Sequence, residues 1–104
     1  MIYPIQQRTY IKANELGVKI YPSKNPKYKI DVYDYNCNFI THIGDAKFFD
    51  YPTYLEMEKN GKVPHGYADK RRDLYWTRHI NEVEKLGPNW EGSSSYYSFA
   101  LLWS

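Results

Sequence analysis

Six residues able to carry charge or hold a proton crowd into one short stretch: His65, Asp69, Arg72, Tyr75, Arg78 and His79 fall within fifteen residues. From Asp69, the steps to Arg72, Tyr75 and Arg78 are three residues each, which on a helix sets four side chains along one slowly turning stripe. A histidine beside a guanidinium outlines an acid-base site, with His79 as base and Arg78 as anion clamp. No nucleophile or metal accompanies the stripe. The favoured reading is therefore structural, with Asp69, Arg72, Tyr75, Arg78 and His79 forming an ion-pair and hydrogen-bond network that pins a helix to a neighbouring hairpin.

The remaining reactive residues point the same way. Cys37, the single cysteine, lies between Asn36 and Asn38 with no histidine fixed beside it to draw off its proton, so it reads as a turn residue. His42, His65 and His79 lack His-x-x-x-His spacing, which argues against zinc. The six glycines are scattered singly, so no loop is built to cradle a phosphate. No catalytic residue, cofactor, metal or small-molecule substrate is expected. The triplet Lys70, Arg71, Arg72 could touch phosphates beside base-stacking tyrosines, although Asp69 and Asp73 flank it and offset its charge.

Composition sets the frame for these residues. The chain has 104 residues, 42% hydrophobic and 25% charged, which suits one folded domain with one core. Its net charge of +2 is too small to drive nonspecific binding to nucleic acid or membrane. One cysteine and a start without a secretory pattern suggest synthesis in a reducing cytoplasm. The longest apolar run, residues 96–103, is far short of the roughly 20 residues that span a bilayer. Twelve tyrosines and three tryptophans exceed what one small core can hold. Several must lie at the surface, where tyrosine suits protein contacts.

The elements that must position these residues follow from periodicity and turn chemistry. Residues 1–26 carry Pro4, Pro22, Pro26 and Gly17, and read as an extended N-terminal arm with at most one short regular piece. Its Tyr3, Tyr10 and Tyr21 are the candidate interface. Residues 27–104 read as a compact α+β domain. A β-hairpin is expected over about 27–43, with Tyr28, Ile30 and Val32 opposite Lys29, Asp31 and Tyr33. Asn36, Cys37 and Asn38 form its turn, the asparagines supplying left-handed backbone. Phe39, Thr41 and Ile43 share one face of the returning strand. Asp50, Tyr51 and Pro52 open a short helix that ends at Lys59. The main helix, about 67–86, carries Asp69 in its first turn, ends at Gly87 and Pro88, and packs Tyr75, Trp76, Ile80, Val83 and Leu86 on the hairpin. Ser93, Ser94 and Ser95 precede a short aromatic C-terminal helix or strand over 96–103, a plug for the core.

Taken in order, a tyrosine-rich hairpin ending at Gly44 and Asp45, then Asp50-Tyr51, Asp69-x-x-Arg72-x-x-Tyr75-x-x-Arg78-His79, Asn89-Trp90, Ser98 and Leu101-Leu102-Trp103, resembles a family of short, uncharacterised proteins encoded by large DNA viruses and tailed phages. The resemblance covers about 27–103. It implies a viral origin and a virion component, without an enzyme activity to carry over. The chain departs from the family pattern in a longer, more helical stretch over 51–62 and in the arm over 1–26. With the physics, the resemblance suggests an auxiliary, or decoration, capsid protein of a tailed phage. It would sit on the major capsid protein lattice, with the arm clipped onto a neighbouring virion subunit. The alternative is a small viral nucleic-acid-binding protein that uses the Lys70–Arg72 face. A hydrolase or nuclease built on Asp69, Arg78 and His79 comes third.

Overall fold

Twelve residues separate Pro4 from Gly17, room for three helical turns, and the chain uses it. In the computed structural model, which describes residues 3–104, helix α1 occupies Gln7–Leu16. Gly17 closes it at φ 75°, its N–H bonding back to the carbonyls of Ala13 and Asn14; glycine takes this backbone without a Cβ penalty. Strand β1, Lys19–Pro22, follows at once. The expected extended arm over 1–26 is thus corrected, its first two residues lying outside the described residues. Pro4 precedes the helix, Pro22 ends an edge strand and Pro26 sits in the next turn. At those places a missing N–H does no harm, so the prolines punctuate structure without preventing it.

The chain divides into two units, Met1–Phe48 and Phe49–Ser104, so the division does not fall at the expected boundary after Pro26. In the first unit, β1 pairs antiparallel with β2, Tyr28–Tyr33, which pairs antiparallel with β3, Phe39–Asp45. The sheet order is β1-β2-β3. The hairpin stands where alternation placed it, except that Tyr28, expected beside Ile30 and Val32, turns its ring to stack on His42. Its turn is held by Asp34, whose Oδ1 accepts the amides of Asn36 at 2.8 Å and Asn38 at 2.9 Å. The left-handed residue is Cys37, φ 65°, and neither asparagine takes that backbone. Ile20, Ile30, Val32 and Ile43 are buried, as are Ala13 and Val18.

One irregularity decides which side chains share the outer face. The register runs Ile30↔Ile43, Asp31↔His42 and Val32↔Thr41, then Tyr33↔Phe39, with a bulge between Val32 and Tyr33. Ile40 is the extra residue. Strict alternation would keep Phe39 with Thr41 and Ile43, and a bulge shifts every residue beyond it to the opposite side. Phe39 thereby joins Tyr33, which corrects the expected facing.

In the second unit, α2 spans Tyr51–Lys59, with Asp50 as its N-cap accepting from the Thr53 amide at 2.9 Å. Helix α3 spans Tyr67–Leu86, as its periodicity indicated. Its N-terminus follows Gly66 and has no side-chain cap of its own. Instead, the Ala68 amide donates to Glu58 Oε1 of α2 at 2.6 Å, which satisfies one of the orphan donors of a helix start. After a 3-10 turn at Gly87–Asn89, α4 runs Ser94–Ser98 from a Ser93 cap and continues as a π turn, Phe99–Trp103. Leu101 and Leu102 are fully buried and Trp103 nearly so, so the C-terminal segment is helical and acts as a plug. Trp103 stacks on Tyr75 at 4.4 Å and Phe99 on Trp76 at 4.2 Å. The fold class is α+β. Among the described residues, no helix is long and apolar enough to cross a membrane.

Candidate functional site

The stripe on α3 separates into two clusters and an outlier. Asp69 accepts from the Tyr51 hydroxyl at 2.7 Å and lies 3.7 Å from Arg72, whose guanidinium sits 4.6 Å from the centre of the Tyr51 ring. One turn on, Tyr75 is sandwiched between Trp103 and His79, with ring centres 4.4 and 4.0 Å away. His79 Nδ1 is 2.8 Å from the Tyr75 carbonyl, to which it donates. Burial pushes the Tyr75 phenol up from its usual range, against a smaller opposing effect of the Ser98 hydroxyl 3.5 Å away. Arg78 belongs to neither cluster. It is exposed, and its Nε donates to the Leu74 carbonyl of its own helix at 3.4 Å. The five-residue network is therefore corrected to two local ones that exclude Arg78.

Nor does the basic triplet form a phosphate-reading face. Lys70 is exposed, but the guanidinium of Arg71 lies 5.8 Å from the centre of the Tyr54 ring, and Arg72 is engaged with Tyr51 and Asp69. Two of the three cations thus spend their flat faces on the protein's own rings. A cavity of about 340 Å³ near Phe49, Thr53 and Met57 also draws Glu56, Asn60 and Lys62 into its wall. Among the described residues, no group of three or more His, Cys, Asp or Glu is placed to hold a metal ion.

The tyrosines proposed as an interface are not equivalent. Tyr3 is half-buried, with the Lys29 ammonium 5.5 Å above its ring. Tyr10 is 44% exposed on α1 and Tyr21 51% exposed on β1. Tyr21 alone opens onto a larger feature, an aromatic outer face on the sheet. Tyr21 meets Tyr33 edge to face at 5.5 Å, and Tyr33 meets Phe39 the same way at 5.6 Å. Phe39 then meets His42 at 4.8 Å, and His42 stacks on Tyr28 at 5.0 Å. Phe39 is 50% exposed and Tyr28 40%. The rings thus run across all three strands.

A buried carboxylate anchors this face. Asp31, 3% exposed, accepts from Ser23 Oγ at 2.6 Å and from the Lys24 amide at 3.2 Å, and its Oδ1 lies 2.5 Å from His42 Nδ1. Burial pushes the Asp31 carboxyl up, but the hydrogen bonds from Ser23, His42 and Lys24, with the charge of His42, outweigh it and hold the carboxyl below its usual range. Engaging Nδ1 fixes the His42 ring and leaves Nε2 as its remaining polar atom. Sequence reasoning missed Tyr33, Phe39, His42 and Asp31 as a group. One signal was present, since Lys29, Asp31 and Tyr33 alternate against Ile30 and Val32, but pairing with His42 and Phe39 depends on register. At the turn, the Lys19 ammonium approaches Cys37 Sγ at 3.7 Å, a cation that the sequence neighbours of Cys37 did not reveal.

No family model, no curated protein and no solved structure matches this chain.

Proposed function

We propose that this chain is a binding protein without catalytic activity, an auxiliary protein held on the major capsid protein lattice of a virion. The observation that carries the reading is large apolar side chains left in solvent on both units. Tyr10 and Ile11 are 44% and 53% exposed on α1, and Leu74 and Ile80 are 43% and 40% exposed on α3. Tyr10 and Ile11 are adjacent, the kind of apolar pair that a protein partner covers, whereas Leu74 and Ile80 stand singly on α3. The lattice as partner rests on the likeness to virus-encoded proteins. Each contact then needs only modest affinity, because many copies engage a repeated surface and avidity accumulates. With residues 7–22 folded into α1 and β1, attachment works through these surfaces and needs no free arm.

Mass spectrometry of purified virions, with copy number measured against the major capsid protein, tests the reading. Hundreds of copies that stay attached at several hundred millimolar salt support decoration, since buried apolar contacts respond little to ionic strength. Absence from the particle refutes it.

A further inference from the structure

We propose that the outer face of the three-stranded sheet in the first unit binds single-stranded nucleic acid, a surface distinct from those assigned to the lattice. Three observations converge on it. The first is the row of rings. Tyr21, Tyr33 and Phe39 cross the three strands with centres 5.5 and 5.6 Å apart, continued by His42 and Tyr28. Neighbouring rings meet edge to face, at interplanar angles of 82° and 76°, so unpaired bases, each with a flat π surface, stack on the individual exposed rings, Tyr21 and Phe39, and not on one coplanar platform. In a duplex, bases are already stacked and paired, so this face selects single strands.

The second observation is the polar anchor. Asp31 is buried and holds Nδ1 of His42, so the imidazole is fixed among the rings with Nε2 remaining as an acceptor for a donor on a base edge. The third is charge. Through residue 48, seven Lys and Arg stand against four Asp and Glu, and one of those four, Asp31, is buried with its own donors. Lys19 lies on the same side of β1 as Tyr21, and Lys24 and Lys27 are exposed in the loop between β1 and β2. Lys19, opposite Tyr33 in register, and Lys24 and Lys27, in the loop that leads to Tyr28, therefore flank the rings along the strand direction, where a backbone passing over them would place phosphates. Asp34, the acid near the turn, accepts from the amides of Asn36 and Asn38 at the surface and lies close enough to Lys19 for their charges to interact. A protein partner would need no such cations beside neutral rings.

Fluorescence anisotropy of the full chain with labelled oligo(dT) and oligo(U) of about 15 nucleotides, beside a hairpin duplex, tests this. Single strands should bind at about 50 mM salt, with the duplex at least about tenfold weaker. Three lysines at about 0.7 counterions each give a log-log salt slope near −2, or roughly fourfold weaker binding per doubling of salt. Phe39→Ala should weaken binding by about fivefold to a hundredfold, the loss expected for one stacked base. Tyr33→Leu, which keeps an apolar side chain but removes the flat ring, should do the same in a protein whose circular dichroism is unchanged. Lys70→Ala with Arg71→Ala should leave binding intact, because neither residue belongs to the aromatic face. The proposal is overturned if single strands do not bind at low salt, if the duplex binds equally well, or if both ring variants bind like the parent. Absent oligonucleotide binding together with loss of capsid attachment in Phe39→Ala would assign the face to a protein and also overturn it.

Discussion

Replacing Asp31 with asparagine removes one charge while keeping the side chain's shape, and the surrounding geometry sets the cost. Oδ1 receives Ser23 Oγ and His42 Nδ1, and Oδ2 receives the Lys24 amide. In Asp31→Asn, the amide oxygen can keep the first two donors only by turning its NH2 toward the Lys24 N–H, so two donors face each other. An unpaired donor at a buried site costs about 1–3 kcal/mol, and the loss of charge from the two retained bonds adds about 1 kcal/mol. A loss of about 2–4 kcal/mol follows, equivalent to a fall in Tm of roughly 10–20 °C for a chain of this size. Circular dichroism melts at pH 7 measure it. The dependence on pH supplies an internal check. The folded-state value of Asp31 is depressed, so its contribution is present above the unfolded value of about 3.9 and disappears as pH falls through the folded one. The gap between parent and variant should therefore begin to narrow below about pH 4 and close only below the folded value. A variant melting within about 2 °C of the parent at pH 7, or a gap that stays constant down to pH 3, would refute the reasoning.

Other substitutions probe the second unit and the helix ends. Leu101→Ala, at a fully buried position, should cost about 2–5 kcal/mol in urea unfolding. Arg78→Ala should change stability by no more than about 0.5 kcal/mol, because the side chain is exposed and bonded only within its own helix. Tyr75→Ala, which removes the ring between Trp103 and His79, should cost about 2–4 kcal/mol in the same assay. Equal effects of the two would restore the five-residue network. Gly17→Ala should cost about 1–2 kcal/mol in thermal melts. Its new Cβ would meet only Tyr35 at 3.6 Å, an ordinary contact, so the cost comes from the backbone at φ 75°.

Local signals were legible where one segment settles its own conformation. Alternation at Ile30 and Val32 placed β2, the Asn-Cys-Asn turn placed the hairpin, and apolar spacing with Gly87 and Pro88 placed α3 and its end. The start of α2 at Asp50, Tyr51 and Pro52 was readable because the signals that open a helix lie within a few residues of its first turn. Residues 1–26 were misread because proline was counted as a breaker without regard to place. Ala13 and Thr9 bury one side of α1, and Ile20 is buried within the sheet as part of β1, gains that depend on what the segment meets.

The candidate site lay almost wholly beyond sequence. Asp69, Arg72, Tyr75, Arg78 and His79 share a stripe by spacing, yet Tyr51 and Trp103 arrive from elsewhere in the chain and divide it. Likewise, nothing local assigns Ser23, Asp31 and His42 to one hydrogen-bonded group, since that needs three strands in register. The bulge is the sharpest case. A period of two fixes which residues of a strand share a face, but a single extra residue at Ile40 carries Phe39 across the sheet, and only pairing with β2 decides where that residue is left out. Composition determined that this chain would fold and would leave aromatic rings at its surface; the register of the sheet decided which rings stand together.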